Sequence, residues 1–253
     1  LLMTFYRRID SIMLERLLPD GAFYAGVYAQ AYRILDAVNM FGFLFASLLL
    51  PMFSHMIKKQ QNIQPLTNLA FKLLMIPALT LAAIGLYFSN DIMNLLYHEH
   101  GALSAPVFTM LMFSFVCIST SYIFGTLLTA NGSLQNLNLT ALGGMILNIS
   151  LNLFLIPQYK ASGAAFAGLI TQIIMALAQI ILAVKILNWK PDWKLMGKLL
   201  LFFTLIALIA NIAVRYYPDI KTTLAIILLA PILAFSLGLL RISELKSIMK
   251  EQQ

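Results

Sequence analysis

Apolar residues fall into eight long runs along almost the whole chain, separated by short polar segments. Most runs approach the roughly 20 residues that a helix needs to cross a bilayer. They are continuous and do not alternate between apolar and polar positions, so they indicate helices and not barrel strands. The pattern predicts an all-α, polytopic membrane protein with transmembrane helices over residues 1–18, 24–56, 66–88, 102–128, 137–156, 163–184, 199–214 and 222–240.

The composition supports this class. The chain is 60% hydrophobic and 11% charged, with a mean hydropathy of +0.85, whereas soluble domains carry about 25% charged residues. The net charge of +7 does not indicate a nucleic-acid partner, because the basic residues are scattered between apolar runs and form no single basic face. One cysteine, Cys117, allows no intrachain disulfide.

Lysine and arginine are distributed unequally between the two ends of the predicted helices. The positive-inside rule places the more basic set in the cytoplasm, together with the C-terminus. We expect Trp189 and Trp193 to lie at the membrane interface on that side, and the fifth run to end at Pro157. The more basic set contains Lys58, Lys59, Lys72, Lys185, Lys190, Lys194, Lys198, Arg241, Lys246 and Lys250, and the opposite set contains Arg16, Lys160, Arg215 and Lys221.

Charged residues inside the first two runs are the candidate functional residues. The first run contains Arg7, Arg8 and Asp10, and the second contains Arg33 and Asp36. A charge at such depth costs about 2.5–3.5 kcal/mol on insertion scales and usually faces a cavity. Arg7 and Arg33 each precede an aspartate by three positions, so the pairs can neutralise each other on a helix. Alternatively, the surplus positive charge binds a phosphate group, which arginine holds in two-pronged fashion.

Other chemistry is not indicated. No enzyme site stands out in the sequence, so we expect neither an enzyme nor a cofactor. There is no glycine-rich phosphate loop, so we do not expect ATP-driven transport. The His98-Glu99-His100 run lacks the i, i+4 spacing of a helical metal site. Small and polar residues within the fifth and sixth runs, including Asn148 and Asn152, are typical of close helix packing.

Several stretches resemble the C-terminal half of a polysaccharide-exporter flippase, the Wzx-like O-antigen branch of the multidrug/oligosaccharidyl-lipid/polysaccharide superfamily. The resemblance covers essentially the whole chain. One departure is Lys160, where the family usually has glycine after an aromatic residue. The matching stretches are Arg8-Ile9-Asp10 with Met13-Leu14; Gly26-Val27-Tyr28 with Ala31 and Arg33; Pro51, Phe53 and Ser54; and Asn152 with Leu155-Ile156-Pro157, Tyr159 and Gly163-Ala164-Ala165.

The resemblance implies an architecture and a function. Residues 1–190 would form a six-helix lobe, and residues 191–253 would add two transmembrane helices and a cytoplasmic tail. The partners would be the bilayer, an N-terminal lobe that this chain lacks, and a polyprenyl-diphosphate-linked oligosaccharide. The lobes would flip that lipid across the bacterial cytoplasmic membrane by alternating access, for lipopolysaccharide O-antigen or other surface polysaccharide biosynthesis. Arg7, Arg8 and Arg33 would bind the diphosphate, and Asp10 and Asp36 are the candidates for ion coupling.

Three alternatives remain open at this point. A lipid II flippase of the same superfamily would share the fold and the diphosphate substrate. A drug/cation antiporter of that superfamily would favour acidic residues in the cavity. A membrane-embedded glycosyltransferase or polymerase would need large loops with paired carboxylates, and the loops of this chain are short.

Overall fold

A computed structural model describes residues 2–97, 99–216 and 220–240, with side chains throughout except at residues 2–8 and 220. Within these residues the chain forms eight helices and no strands, which confirms the all-α prediction. The helices are α1 (Leu2–Leu17), α2 (Gly21–Lys58), α3 (Gln64–Tyr87), α4 (Ser89–Leu96), α5 (Gly101–Ala130), α6 (Leu134–Leu187), α7 (Trp193–Tyr216) and α8 (Ile220–Ser236).

The expected count of about eight spans is not reproduced. Five helices of the described chain, α2, α3, α5, α6 and α7, are long and apolar enough to cross a membrane. The first and last predicted spans are shorter, with 16 residues in α1 and 17 in α8. Two predicted spans fall within α6, which has 54 residues. The chain is a multi-pass, membrane-embedded protein whose apolar side chains, such as Phe41 and Leu48 of α2, are exposed where lipid can cover them.

The two predicted spans of α6 form a hairpin. The backbone breaks at Lys160, with φ 54° and ψ −131°, and not at Pro157, through which the helix continues. Gly144 of the first half lies against Met175 of the second, where an added methyl would be 2.5 Å from the Met175 sulfur. Because these residues lie on opposite sides of the break, the halves run antiparallel. Lys160 therefore marks what we call the apex end of the helices.

Two apolar clusters hold the helices together. One joins α1, the first half of α2, α5 and the apex of α6, around Leu14, Tyr28, Phe108 and Met112. The other joins the second half of α2 with α3, α5, α7 and α8, and it includes Phe53 and Phe202. The helices α7 and α8 pack against α3, so they flank the group of α1, α2, α5 and α6 in which the candidate site lies.

Candidate functional site

Asp10 is a buried carboxylate at the junction of α1, α2 and α6. Its side chain is only 8% exposed. The Tyr28 hydroxyl of α2 donates a hydrogen bond of 3.0 Å to Asp10 Oδ2. The Asn152 amide, from the first half of α6, donates a bond of 2.7 Å to Asp10 Oδ1. Both carboxylate oxygens are therefore held by neutral donors from different helices.

The two asparagines of α6 complete one side of the site. Asn148 and Asn152 are one helical turn apart, and both are buried. The Asn152 amide nitrogen also lies 3.1 Å from Asn148 Oδ1, so the two asparagine side chains are joined beside Asp10. Asn152 Oδ1 is buried without a hydrogen-bond partner among the described residues. It is thus an oxygen that remains available for a positively charged or hydrogen-donating guest.

The second half of α6 closes the site from the other side. A methyl group placed on Gly168 would lie 3.8 Å from Asp10 Oδ2. The absence of a side chain at Gly168 thus leaves space beside the carboxylate. Four helical segments meet around one acidic group: α1, α2 and both halves of α6. A rotation between these segments would change the environment of Asp10 directly.

Neutral hydrogen bonds only partly offset the cost of a carboxylate in a low-dielectric interior. An ionised Asp10 would be stabilised by a bound monovalent cation, and a protonated one would lose its charge. Intramembrane acidic groups with these properties commonly serve ion pathways and proton relays. The geometry is therefore suited to binding a proton or a metal cation.

The predicted site residues are not all brought together. Arg7 and Arg8 belong to α1, but their side chains lie outside the described part of the structure, so their role stays a prediction. Arg33 is exposed on α2, and Asp36 is half-buried one turn further on. Neither Arg33 nor Asp36 donates or accepts any of the hydrogen bonds to Asp10 described above, and the assignment of Asp36 to ion coupling stays a prediction.

Tyr28, Asn148 and Asn152 are functional candidates that sequence reasoning did not assign to the site. The asparagines were predicted to serve helix packing, and Tyr28 carried only a family resemblance. The signal in the sequence was the i, i+4 spacing of the two asparagines within an apolar run, because two amides on one helical face need a polar partner. The identity of that partner depends on the tertiary packing of α1 against α6.

Lys160 ties the α6 hairpin to the start of α2. Its Nζ donates a hydrogen bond of 2.6 Å to the Tyr24 hydroxyl and lies 4.7 Å from the centre of the Tyr24 ring. Phe23 packs edge-on against both Tyr24 and His100. The positive φ of Lys160 is the conformation that favours glycine. The lysine contacts at the apex end are thus made from a strained backbone.

The opposite end of the helices is closed by the segment between α6 and α7. The Gln64 side chain bonds both the amide and the carbonyl of Lys190. Trp189 is buried and meets Phe124 edge-on at 4.8 Å between ring centres. The loop turns the Trp189 ring into the core, so this side chain packs against protein, and its predicted depth at the membrane interface stays a prediction. Trp193 is 79% exposed, as an interfacial residue would be.

No protein-family model matches the chain, and no curated protein matches it. Within the described residues, no group of three or more histidine, cysteine, aspartate or glutamate side chains could hold a metal ion. The fold and the site together define a multi-pass, all-α membrane protein. Between its helices lies a buried carboxylate, that of Asp10, which accepts hydrogen bonds from neutral side chains.

Proposed function

We propose that this chain is the C-terminal lobe of an ion-coupled transporter that flips a polyprenyl-diphosphate-linked oligosaccharide across the bacterial cytoplasmic membrane. The observation that carries the transport proposal is the burial of Asp10 among helices α1, α2 and α6 with neutral hydrogen-bond donors. The substrate is supported by the resemblance to the Wzx-like flippases and by the arginines of the first two helices. The activity is translocation by alternating access, without enzymatic chemistry.

Asp10 is the ion-coupling residue of this proposal. Binding of a proton or a sodium ion cancels its charge, and release restores it. Because α1, α2 and both halves of α6 contact the carboxylate or its donors, the change in charge alters how these segments pack. In transporters with paired lobes, such packing changes open a central site to one side of the membrane and then to the other.

The diphosphate gives the arginines a function. Arg7, Arg8 and Arg33 outnumber Asp10 and Asp36 by one charge. The exposed Arg33 side chain is free to reach a group outside this chain's own core. Guanidinium groups bind phosphate oxygens bidentately, which lysine cannot reproduce. The sugar portion needs no charged partner, so the headgroup phosphates are what these residues recognise.

A second candidate, a drug/cation antiporter of the same superfamily, is favoured by one observation. Among the described residues, the only charged side chain at the site is that of Asp10, which is acidic. An organic cation would compete directly with the coupling ion for such a carboxylate. Efflux of a fluorescent organic cation that depends on Asp10, in cells whose surface polysaccharide is unaffected by its loss, would identify this second function.

Substitution of Asp10 tests the transport proposal. In the complete transporter, Asp10→Asn should abolish export of the lipid-linked sugar at an unchanged amount of membrane protein, because a neutral amide can neither take up a proton nor balance the charge of a metal cation. Asp10→Glu should retain part of the activity. Asp20→Asn is the matched control, since Asp20 is exposed and makes no side-chain cap to α2. Full export by Asp10→Asn would refute the coupling role.

Substitution of Arg8 and Arg33 tests the substrate. Arg→Ala at either position should reduce export while leaving protein in the membrane, and Arg→Lys should restore it only in part. Arg16→Ala is the control, because Arg16 is exposed at the end of α1. If Arg8 only neutralises Asp10, Arg8→Ala should instead lower the amount of protein in the membrane and its unfolding midpoint, and adding Asp10→Asn should restore both. That outcome would exclude diphosphate binding by Arg8.

The orientation is proposed from the lysines, with the α6–α7 segment and the C-terminus in the cytoplasm. A cysteine at Asp192, in a background lacking Cys117, should react with an impermeant thiol reagent only after the cells are opened. Labelling of intact cells would reverse the proposed sidedness.

A further inference from the structure

A second set of buried polar groups lies between α2, α5 and the second half of α6. Asn39 Oδ1, Ser121 Oγ and Gln179 Oε1 are buried without a hydrogen-bond partner among the described residues. Asn39 is 4% and Gln179 is 7% exposed. We call these three residues the amide–hydroxyl set. None of them belongs to the hydrogen-bond network of Asp10.

One turn of α5, which contains Ser121, lies beside both Asn39 and Gln179. The Tyr122 hydroxyl lies 3.3 Å from the backbone oxygen of Asn39, which places α2 beside this turn. A methyl group on Gly125 would lie 3.4 Å from Gln179 Oε1, which places α6 there as well. Ser121 precedes Gly125 by four positions and therefore lies on the same helical face.

The missing partners are not a general property of α5. Ser119, in the same turn as Ser121, is also buried without a partner. The other serine and threonine hydroxyls of α5 all donate to a carbonyl of the preceding turn: Ser104, Thr109, Ser114, Thr120, Thr126 and Thr129. Among the serine and threonine hydroxyls of α5, the hydrogen bond to the preceding turn is thus absent only at Ser119 and Ser121.

We infer that the amide–hydroxyl set binds a small guest that offers hydrogen atoms or positive charge to oxygen, either a water molecule or a monovalent cation. Amide oxygens can only accept, and buried acceptors in lipid surroundings are satisfied by a partner. Buried water typically makes two to four such bonds. Gln179 follows Gly168 by three turns of α6, about 16 Å, so this site is separate from Asp10.

The sign of a stability change tests whether the guest is present. Gln179→Met replaces the amide by an apolar group of similar size. If the oxygen is truly unpartnered, its removal is stabilising, and if it binds a guest, its removal is destabilising. For the full chain in detergent micelles, we expect Gln179→Met to lower the midpoint of thermal unfolding by about 2–4 °C. Gln172→Met, at a half-buried position two turns earlier, should change it by less.

The choice of salt identifies the guest. The measurement is made in sodium, potassium and N-methylglucamine chlorides at equal ionic strength, and in an Asp10→Asn background that removes any cation effect there. A decrease in all three salts indicates water, and a decrease confined to sodium or potassium indicates a cation. If Gln179→Met does not insert, Ser121→Ala is measured in its place. An unchanged or raised midpoint in every salt would overturn the inference.

Discussion

Asp10 and Asn152, 142 positions apart in the sequence, are joined by a hydrogen bond of 2.7 Å from the asparagine amide to Asp10 Oδ1. This bond fixes the register of α1 against α6. We expect Asn152→Leu to lower the free energy of unfolding by about 1–3 kcal/mol, because a buried oxygen loses its donor. The measurement is denaturant unfolding of the purified chain in micelles. Asn138→Leu, at an exposed position of the same helix, should have little effect, and equal losses for the two variants would contradict the assignment.

The backbone conformation of Lys160 predicts that a glycine variant is more stable than an alanine variant at this position. Lys160→Gly and Lys160→Ala both lose the contacts to Tyr24, but only glycine adopts the positive φ of 54° without strain. We expect the glycine variant to be the more stable by about 1–3 kcal/mol in thermal or denaturant unfolding.

The same pair of substitutions at Lys185, an exposed helical position in the last turn of α6, provides the control. There alanine should be more stable than glycine by about 1 kcal/mol. If alanine is also the better residue at position 160, the strained apex is not a property of the protein.

Substitutions at two adjacent glycines distinguish the effect of close packing from the effect of helix propensity. A methyl on Gly144 would lie 2.5 Å from the Met175 sulfur, whereas a methyl on Gly143 would meet nothing within 4 Å. Gly144→Leu should therefore destabilise the α6 hairpin by about 1–3 kcal/mol. Gly143→Leu should be neutral or stabilising, as measured by the unfolding midpoint. Met175→Ala should partly restore the Gly144→Leu variant, and failure of that rescue would argue against antiparallel halves.

Lys198 stabilises the end of α8. Its Nζ lies 3.0 Å from the Leu237 carbonyl oxygen and 3.5 Å from that of Gly238. A cation at the C-terminus of a helix satisfies carbonyls that have no helical partner. Lys198→Met should cost about 1 kcal/mol and speed amide exchange in the last turn of α8. Lys194→Met, at an exposed position of α7, is the control, and equal exchange in both variants would remove this role.

Seven of the eight helices were predictable because they contain long apolar runs, whereas the eight-residue α4 (Ser89–Leu96) was not predicted. Most bounds agree to within a few residues, although α7 begins at Trp193 and not at residue 199. For example, residues 66–88 were predicted and α3 covers Gln64–Tyr87. The break in α6 was placed at Pro157, whereas the observed break at Lys160 is a backbone conformation that lysine rarely adopts. The partners of Asp10 and the burial of Trp189 depend on packing between distant segments, which a periodic pattern in one helix does not specify. Of the predicted ion-coupling residues, the structure provides a defined site for Asp10.

Ion-gradient-driven flipping directly tests whether Asp10 binds the coupling cation. Proteoliposomes containing the complete transporter and a fluorescent polyprenyl-diphosphate sugar are given a proton or sodium gradient, and the rate of flipping is followed. We expect one of these gradients to accelerate flipping by the wild type and to leave Asp10→Asn at its rate without a gradient. Equal acceleration of Asp10→Asn and the wild type would contradict it.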